Sequence, residues 1–305
     1  MTKLKIITVA TESKYYFPYL QTTIKKNNGE LVVLGYGKEW EGFSWKYDLM
    51  IKYLKNLNPT DIVCFVDGYD VICLRNLKEL PNQFIALKKK HNCKIIVGCD
   101  HYQNSVQKVL ANFYFGFCKN SPLNSGNYIG YVKDILEIIL NIHSQTTSNT
   151  TDDQILMNTY CNQNKNDFYI DTKSEIFLVI SDPLHEINDL VTIRDKKVYF
   201  ENSRPFFLHG NAATYLDNVL QEIGYKNVDV KTDLKENFFK KIALLIHPDL
   251  YNYISKQNKY LSYLLYILLI LFICVIFGSI GYFIYKYIRN SLSTNQINKS
   301  RKPTL

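Results

Sequence analysis

Short apolar runs alternate with amphipathic stretches through the first hundred or so residues, and that alternation narrows the folds open to the chain. Ile6 to Ala10, Leu31 to Leu34, Ile62 to Val66 and Lys94 to Gly98 read as strands. Phe17 to Lys26, Trp45 to Leu57 and Leu80 to Lys90 read as helices between them. Strand–helix alternation implies a parallel α/β sheet, whose ligands gather at the carboxyl ends of the strands. Farther on, Asn127 to Val132 reads as a strand and Lys133 to His143 as an amphipathic helix. Asp152 to Tyr160 reads as a second helix after a Ser/Thr/Asn loop. Phe168 to Ile170, Ile176 to Ile180, Lys197 to Glu201 and Pro205 to Leu208 are strand candidates, and Ala213 to Ile223 is a final helix.

The strand Ile62 to Val66 runs into Asp67-Gly68-Tyr69-Asp70. Two carboxylates three residues apart on a rigid element suit a hard divalent cation, which a nucleotide diphosphate leaving group needs. An Asp-Gly turn between strands has the same sequence and no chemistry. Phe206-Phe207-Leu208-His209-Gly210-Asn211 also ends a strand in a potential ligand, and His209 would complete a site with Asp67 and Asp70. Leu123-Asn124-Ser125-Gly126 brings short polar groups and bare backbone close to a ligand, or forms an ordinary turn. Asp152 and Asp153 either complement the dipole of the helix they begin or hold the sugar and take the acceptor proton.

Taken in order, six motifs resemble the glycosyltransferase domain of procollagen lysyl hydroxylases and related collagen glycosyltransferases. They are Thr8 to Thr11, Leu34 to Trp40, Val66 to Val71, Leu123 to Tyr131, Asp152 to Gln154 and His209 to Asn211, within residues 3 to 225. The resemblance implies a GT-A-like (Rossmann-like) mixed sheet flanked by helices, a UDP-sugar donor, and Mn²⁺ or Mg²⁺. It implies Asp67, Asp70 and His209 as metal ligands, and Tyr69 stacked on uracil. Asp152 and Asp153 would lie at the sugar or acceptor side as catalytic groups. Asn124, Ser125, Gly126, Gly210 and Asn211 would line the donor site, and Lys46 would keep the role of the family's lysine. Three departures stand out. The stretch Glu41 to Lys46 is short, Gly98-Cys99-Asp100-His101-Tyr102 replaces an aromatic loop, and Tyr215 falls near the place of a lysine that faces the diphosphate.

Near the end, Tyr260 to Tyr285 carries no charged side chain. As a helix it would reach roughly 39 Å at about 1.5 Å per residue, against a hydrocarbon core of about 30 Å. Tyr260, Tyr263 and Tyr266 at one end and Tyr282, Tyr285 and Tyr287 at the other suit the headgroup boundaries. The expected organisation is therefore a transferase domain over 1–225, a stem over 226–258, a single transmembrane helix over 259–288 and a basic tail over 289–305. The N-terminus does not read as a signal peptide. A tail anchor with a cytosol-facing domain is then expected, in an endomembrane or a virion or host membrane, although the basic tail favours the opposite orientation. The net charge of +8 is diffuse. It matches anionic lipid better than nucleic acid, which would call for a clustered basic stripe and a recognisable module. Of seven cysteines, Cys274 lies in the apolar run, and Cys93 and Cys99 could pair in an oxidising compartment. The sequence thus predicts a metal-dependent hexosyltransferase acting on a glycan or hydroxylated protein, hydroxylysine included. The alternative is a non-catalytic, membrane-tethered nucleotide-sugar or glycan binding module.

Overall fold

Nine strands form the main sheet in this computed structural model. It describes residues 2–230 apart from 103–104, 146–150, 182–186, 188–189 and 212–213, and beyond them only Leu271, Val275, Gly278 and Tyr282, which are helical. β1 (Leu4–Val9), α1 (Phe17–Lys26), β2 (Leu31–Leu34), α2 (Trp45–Leu54) and β3 (Ile62–Val66) follow the expected alternation. β4 (Val71–Cys73), α3 (Leu80–His91), β5 (Ile95–His101), α4 (Ser105–Phe115) and β6 (Leu123–Tyr131) come next. Then follow α5 (Val132–Ser144), α6 (Asp153–Gln163), β7 (Phe168–Asp171) and β8 (Phe177–Ser181). A small hairpin of β9 (Thr192–Arg194) and β10 (Lys197–Tyr199) precedes β11 (Phe207–Asn211) and α7 (Asp217–Glu222).

The strand order is β2-β1-β3-β6-β5-β8-β11-β4, with β7 also on β5. The sheet is mixed, as a GT-A-like fold requires, and not wholly parallel as alternation alone suggests. β6 runs antiparallel to both β3 and β5, and β4 runs antiparallel to β11. The reversal of β6 has a consequence for chemistry. Its first residues, Leu123 to Gly126, lie at the same edge as the last residues of β3 and β5. That segment is part of the strand, so the expected start at Asn127 is four residues late.

β5 changes partner along its length. Ile95 to Gly98 pair with β7, and Cys99 to His101 pair with β8. The ladder to β6 shifts register between Val97 and Gly98. A Cβ on Gly98 would stand 2.8 Å from Val179 Cγ2, so the crossing leaves no room for a side chain.

Period-two alternation buries both faces of the central strands. Ile7, Val63, Phe65, Val97 and Tyr128 pack under α2, α5 and α6, whereas Ile6, Cys64, Val66, Ile96 and Ile129 pack under α1 and α3. A third apolar group joins Tyr16, Leu208 and Leu216 to α7 and to Val228 and Val230. Tyr16 donates from its hydroxyl to Asp217 at 2.6 Å, and Asp217 also accepts from the Val230 amide. The compact unit runs from Met1 to Glu236.

Several expectations change. The final helix starts at Asp217 rather than Ala213, since Thr214 to Leu216 are not helical and 212–213 lie outside the described residues. Cys93 and Cys99 are unpaired, and the disulfide joins Cys118 to Cys161. Cys93 sits at the end of α3 and Cys99 across the sheet on β5, in different cores. Among the described residues no helix is long and apolar enough to cross a membrane. Most of the stem, nearly all of the apolar run with Cys274, the basic tail and Asn149 lie outside the described residues.

Candidate active site

The link from β3 to β4 is fixed at both ends. Asp67 donates its amide to the Gly126 carbonyl, and the Asp70 carbonyl accepts from the Gly210 amide, each at 2.8 Å. Gly68 between them lies so close to β1 that a Cβ would stand 2.8 Å from the Val9 carbonyl oxygen. β11 carries His209 beside Val71 in the ladder to β4. Asp67, Asp70 and His209, far apart in sequence, thereby offer ligand atoms that all lie within 4.8 Å of one another.

His209 is buried, and its Nε2 approaches Asp70 Oδ2 at 3.2 Å but off the line of a hydrogen bond. Nε2 and Asp70 Oδ1 are both buried without a hydrogen-bond partner, an arrangement that normally costs stability. A cation between these atoms would satisfy them, so the donor set fits a divalent metal. Burial alone would lower the His209 pKa, but the carboxylates of Asp70, Asp67 and Asp100 outweigh it and raise it. His209 Nδ1 lies 2.6 Å from the Asn127 side-chain amide. A ligating Nε2 requires the proton on Nδ1. Asn127 must then turn its Oδ1 toward the ring, and Oδ1 is the amide atom that otherwise has no partner.

On the other side of Asp67 lies Lys46, the second residue of α2. It is buried, 3.2 Å from Asp67 Oδ1 and 2.6 Å from Asp153 Oδ2. Burial alone would lower its pKa, but the two carboxylates raise it well above its ordinary value. Asp153 opens α6, and its backbone carbonyl accepts from the Tyr47 hydroxyl. Asp152 is the N-cap of that helix, with Oδ1 accepting from the amides of Gln154 and Ile155. Burial, then the neighbouring Asp153 charge, push the Asp152 carboxyl up to about 6.

Asp100, at the end of β5, gathers the remaining polar residues. Oδ1 accepts from Ser181 Oγ at 2.9 Å, Asn211 Nδ2 at 3.0 Å and Asn124 Nδ2 at 3.3 Å. Oδ2 accepts from the Tyr102 hydroxyl at 3.1 Å and Gln154 Nε2 at 3.5 Å. Burial raises its pKa, while the hydrogen bonds from Asn211, Ser181 and Tyr102 act in the other direction. One carboxylate thus ties together three of the six motifs. Asn124 also accepts from the Gly126 amide at 3.0 Å, and Ser125 is buried beside it.

Tyr69 stands at the rim. Its hydroxyl accepts from the amide of Thr11 at 2.8 Å, which fixes the ring against the end of β1. Tyr15 meets the ring edge-on, and the Lys14 ammonium lies 5.2 Å from its centroid.

The sequence profile of the PLOD GT domain family matches residues 1–256. The chain belongs to that family. A procollagen-lysine,2-oxoglutarate 5-dioxygenase of Drosophila melanogaster is 27% identical over 236 residues, covering 70% of this chain and 31% of the relative. The human multifunctional procollagen lysine hydroxylase and glycosyltransferase LH3 is 26% identical over 234 residues, covering 70% and 30%. An uncharacterised protein of Acanthamoeba polyphaga mimivirus is 23% identical over 196 residues, covering 61% and 40%. The chain spans between about a third and two fifths of the length of these relatives.

Asp67, Tyr69, Asp70, Asn124, Ser125, Gly126, His209, Gly210 and Asn211 lie at one edge of the sheet, where β1, β3, β5, β8 and β11 end, and Lys46 and Asp153 meet Asp67 there from α2 and α6, with Asp152 capping α6. Two groups form there. Asp67, Asp70, His209, Gly126 and Lys46 are one, and Asp100 with Asn124 and Asn211 is the other. Sequence reasoning passed over Asp100 as a site residue because its loop departs from the family. The available signal was the one used for Asp67, an aspartate closing an apolar strand.

Proposed function

We propose that this domain transfers a hexose from a UDP-sugar to a hydroxyl acceptor, with a divalent cation, Mn²⁺ or Mg²⁺, held by Asp67, Asp70 and His209. The observation that carries the reading is the buried, unpartnered His209 Nε2 beside two carboxylates at a sheet edge. Family membership supports the transferase class, and the relatives' names support a hydroxylated or collagen-like protein acceptor. Such a cation, when bound, would neutralise the diphosphate of the leaving group. This chain's own residues would do the rest. Tyr69 offers an aromatic surface to the uracil base. Lys46 pairs with both Asp67 and Asp153 and holds them in place. Asp100 orients the amides of Asn124 and Asn211, and Asp152 is the carboxylate placed to take a proton from the acceptor.

One observation favours the non-catalytic binding module instead: Asp153 is neutralised by Lys46, and Asp152 caps a helix with one oxygen. Incubation of the full chain with Mn²⁺ and a panel of UDP-sugars, with UDP release measured with and without hydroxylysine peptides, separates the two. Release that is lost in Asp67→Ala, Asp70→Ala and His209→Ala supports the transferase. UDP-sugar binding with no release under any condition supports the module.

A further inference from the structure

Helix α4 presents an apolar ridge to solvent. Val109 is 67% exposed, and Phe113, one turn on, is 89% exposed. Tyr114 is partly exposed beside them, its ring edge-on to Phe115 with centroids 4.8 Å apart. Ala111 is buried. α4 packs against α6, and Asn162 of α6 donates to the Phe117 carbonyl at 2.9 Å. Single apolar residues scattered on a surface need no explanation, but a Val and a Phe four apart on one helix form a stripe.

The charge around the ridge is one-sided. From His101 to Lys133 the sequence holds no aspartate or glutamate, and it holds Lys108, Lys119 and Lys133. Lys108 is exposed next to Val109. α6 adds no carboxylate after Asp153, and Asp153 is itself buried against Lys46. A basic polypeptide would find no anion here, whereas phosphate headgroups meet lysine and no repelling carboxylate. The shape points the same way. A helix or strand partner docks into a groove or along a sheet edge, and a phenylalanine so exposed stands outside any groove. A bilayer surface closes round such a protrusion, with apolar side chains below the headgroups, tyrosine at their level and lysine among them.

We propose that α4 is an interfacial helix that seats Val109 and Phe113 at the headgroup–acyl boundary of a phospholipid bilayer. α4 links the end of β5 to the start of β6, so the membrane lies beside the sheet edge that carries the candidate active site. The proposal rests neither on the transferase reading nor on a membrane span at Tyr260 to Tyr285, and the experiment reads α4 alone.

The full chain, with Cys274→Ser and a fluorophore on Asn112→Cys, is mixed with vesicles of phosphatidylcholine and phosphatidylglycerol that contain spin-labelled lipid chains. The free cysteines among the described residues are buried, which directs the label to position 112. A second sample carries the label on Lys89→Cys, an exposed position of α3 on the other face of the sheet from α6. The label at 112 is expected to be quenched by the lipid and the label at 89 is not. Phe113→Ser should weaken docking about tenfold, the worth of one large apolar side chain moved out of lipid. Lys108→Glu should weaken it about fivefold on these vesicles and less on phosphatidylcholine alone. Both positions are exposed, so circular dichroism and the thermal midpoint should stay at wild-type values. The proposal is overturned if position 112 is quenched no more than position 89, or if Phe113→Ser leaves the quenching unchanged. Energy transfer between copies labelled at 112, without lipid quenching, overturns it in favour of a second copy of this chain. Shielding of position 112 by an added collagen-like peptide, again without lipid quenching, overturns it in favour of a polypeptide.

Discussion

Gly126 has no side chain because Asp67 and His209 occupy the space one would need. A Cβ there would collide with Asp67 Oδ2 and stand 2.8 Å from His209 Cε1. Both neighbours are side chains, so Gly126→Ala should cost the fold only about 1–3 kcal/mol while displacing two of the three proposed ligands. The expected result is at least a tenfold loss of Mn²⁺ affinity, read as loss of Mn²⁺-induced thermal stabilisation. Asn127 acts at one remove. If its Oδ1 holds the proton on His209 Nδ1, Asn127→Asp keeps that acceptor, and Asn127→Leu removes it. Titration calorimetry should then show Mn²⁺ affinity retained in the first and reduced about 10–100-fold in the second. Asp152 links residue to pH. Its carboxyl, pushed up to about 6 by burial and by Asp153, binds a proton more readily in the folded chain than in the unfolded one. It therefore costs stability above about pH 6, and that cost fades as pH falls toward the ordinary carboxylate range. Asp152→Asn retains an N-cap and removes the charge, so the stability difference between wild type and Asp152→Asn should shrink on acidification from pH 7 to pH 4. Chemical denaturation at each pH measures it. Loss of acceptor-dependent turnover in the same variant is expected if Asp152 is the base.

At the scale of elements, the strands were legible where apolar residues run unbroken. β1, β2 and β3 need only Ile6, Val32 and Phe65 with their neighbours to announce themselves. β4 was not, because three residues directly after a chemical motif carry no period. The reversal of β6 was not either, since apolar alternation does not encode strand direction and both faces are buried in either sense. α4 was hidden behind the departure of its loop from the family pattern. Among cysteines, sequence separation misled. Cys93 and Cys99 are near neighbours in the chain and lie in different cores, whereas Cys118 and Cys161, 43 residues apart, meet under α6. Lys119 and Asn120 make this meeting possible. Both have positive φ, which turns the chain tightly enough for Cys118 to bridge Ser121 before β6 begins. The disulfide thus ties the entry of β6, which carries Asn124 and Gly126, to the helix that begins with Asp152 and Asp153. In the chain-entropy view a loop of this length is worth about 2–4 kcal/mol. The Cys118→Ala/Cys161→Ala double variant should lose about that much unfolding free energy, measured by denaturant titration. Each element keeps its own core, so the two should still form the native sheet by circular dichroism.

For the whole molecule, a membrane anchor at Tyr260 to Tyr285 is a proposal, and the side the domain would face is a second one. The sequence weighed toward a cytosol-facing domain. The Cys118–Cys161 disulfide argues for the other side, because cytosolic thiols are generally kept reduced and structural disulfides persist mainly in oxidising compartments. The flanking charges favour the same side. Lys256 and Lys259 precede the apolar run, while Lys286, Arg289, Lys299, Arg301 and Lys302 follow it, and the more basic flank stays cytosolic. We propose that, with Tyr260 to Tyr285 in a membrane, the transferase domain lies outside the cytosol. Two acceptor sequences for N-linked glycan report on this directly. Asn149-Thr150-Thr151 belongs to the domain and Asn298-Lys299-Ser300 to the tail. Expressed in cells with a secretory pathway, the chain should carry an endoglycosidase-sensitive glycan that disappears in Asn149→Gln and persists in Asn298→Gln. Its mass after alkylation without reductant should show two fewer modified thiols than after reduction. A glycan on Asn298 alone, together with every cysteine open to alkylation, would restore the cytosolic domain. The disulfide would then be absent from the protein in its own compartment, and α6 would be held by packing alone.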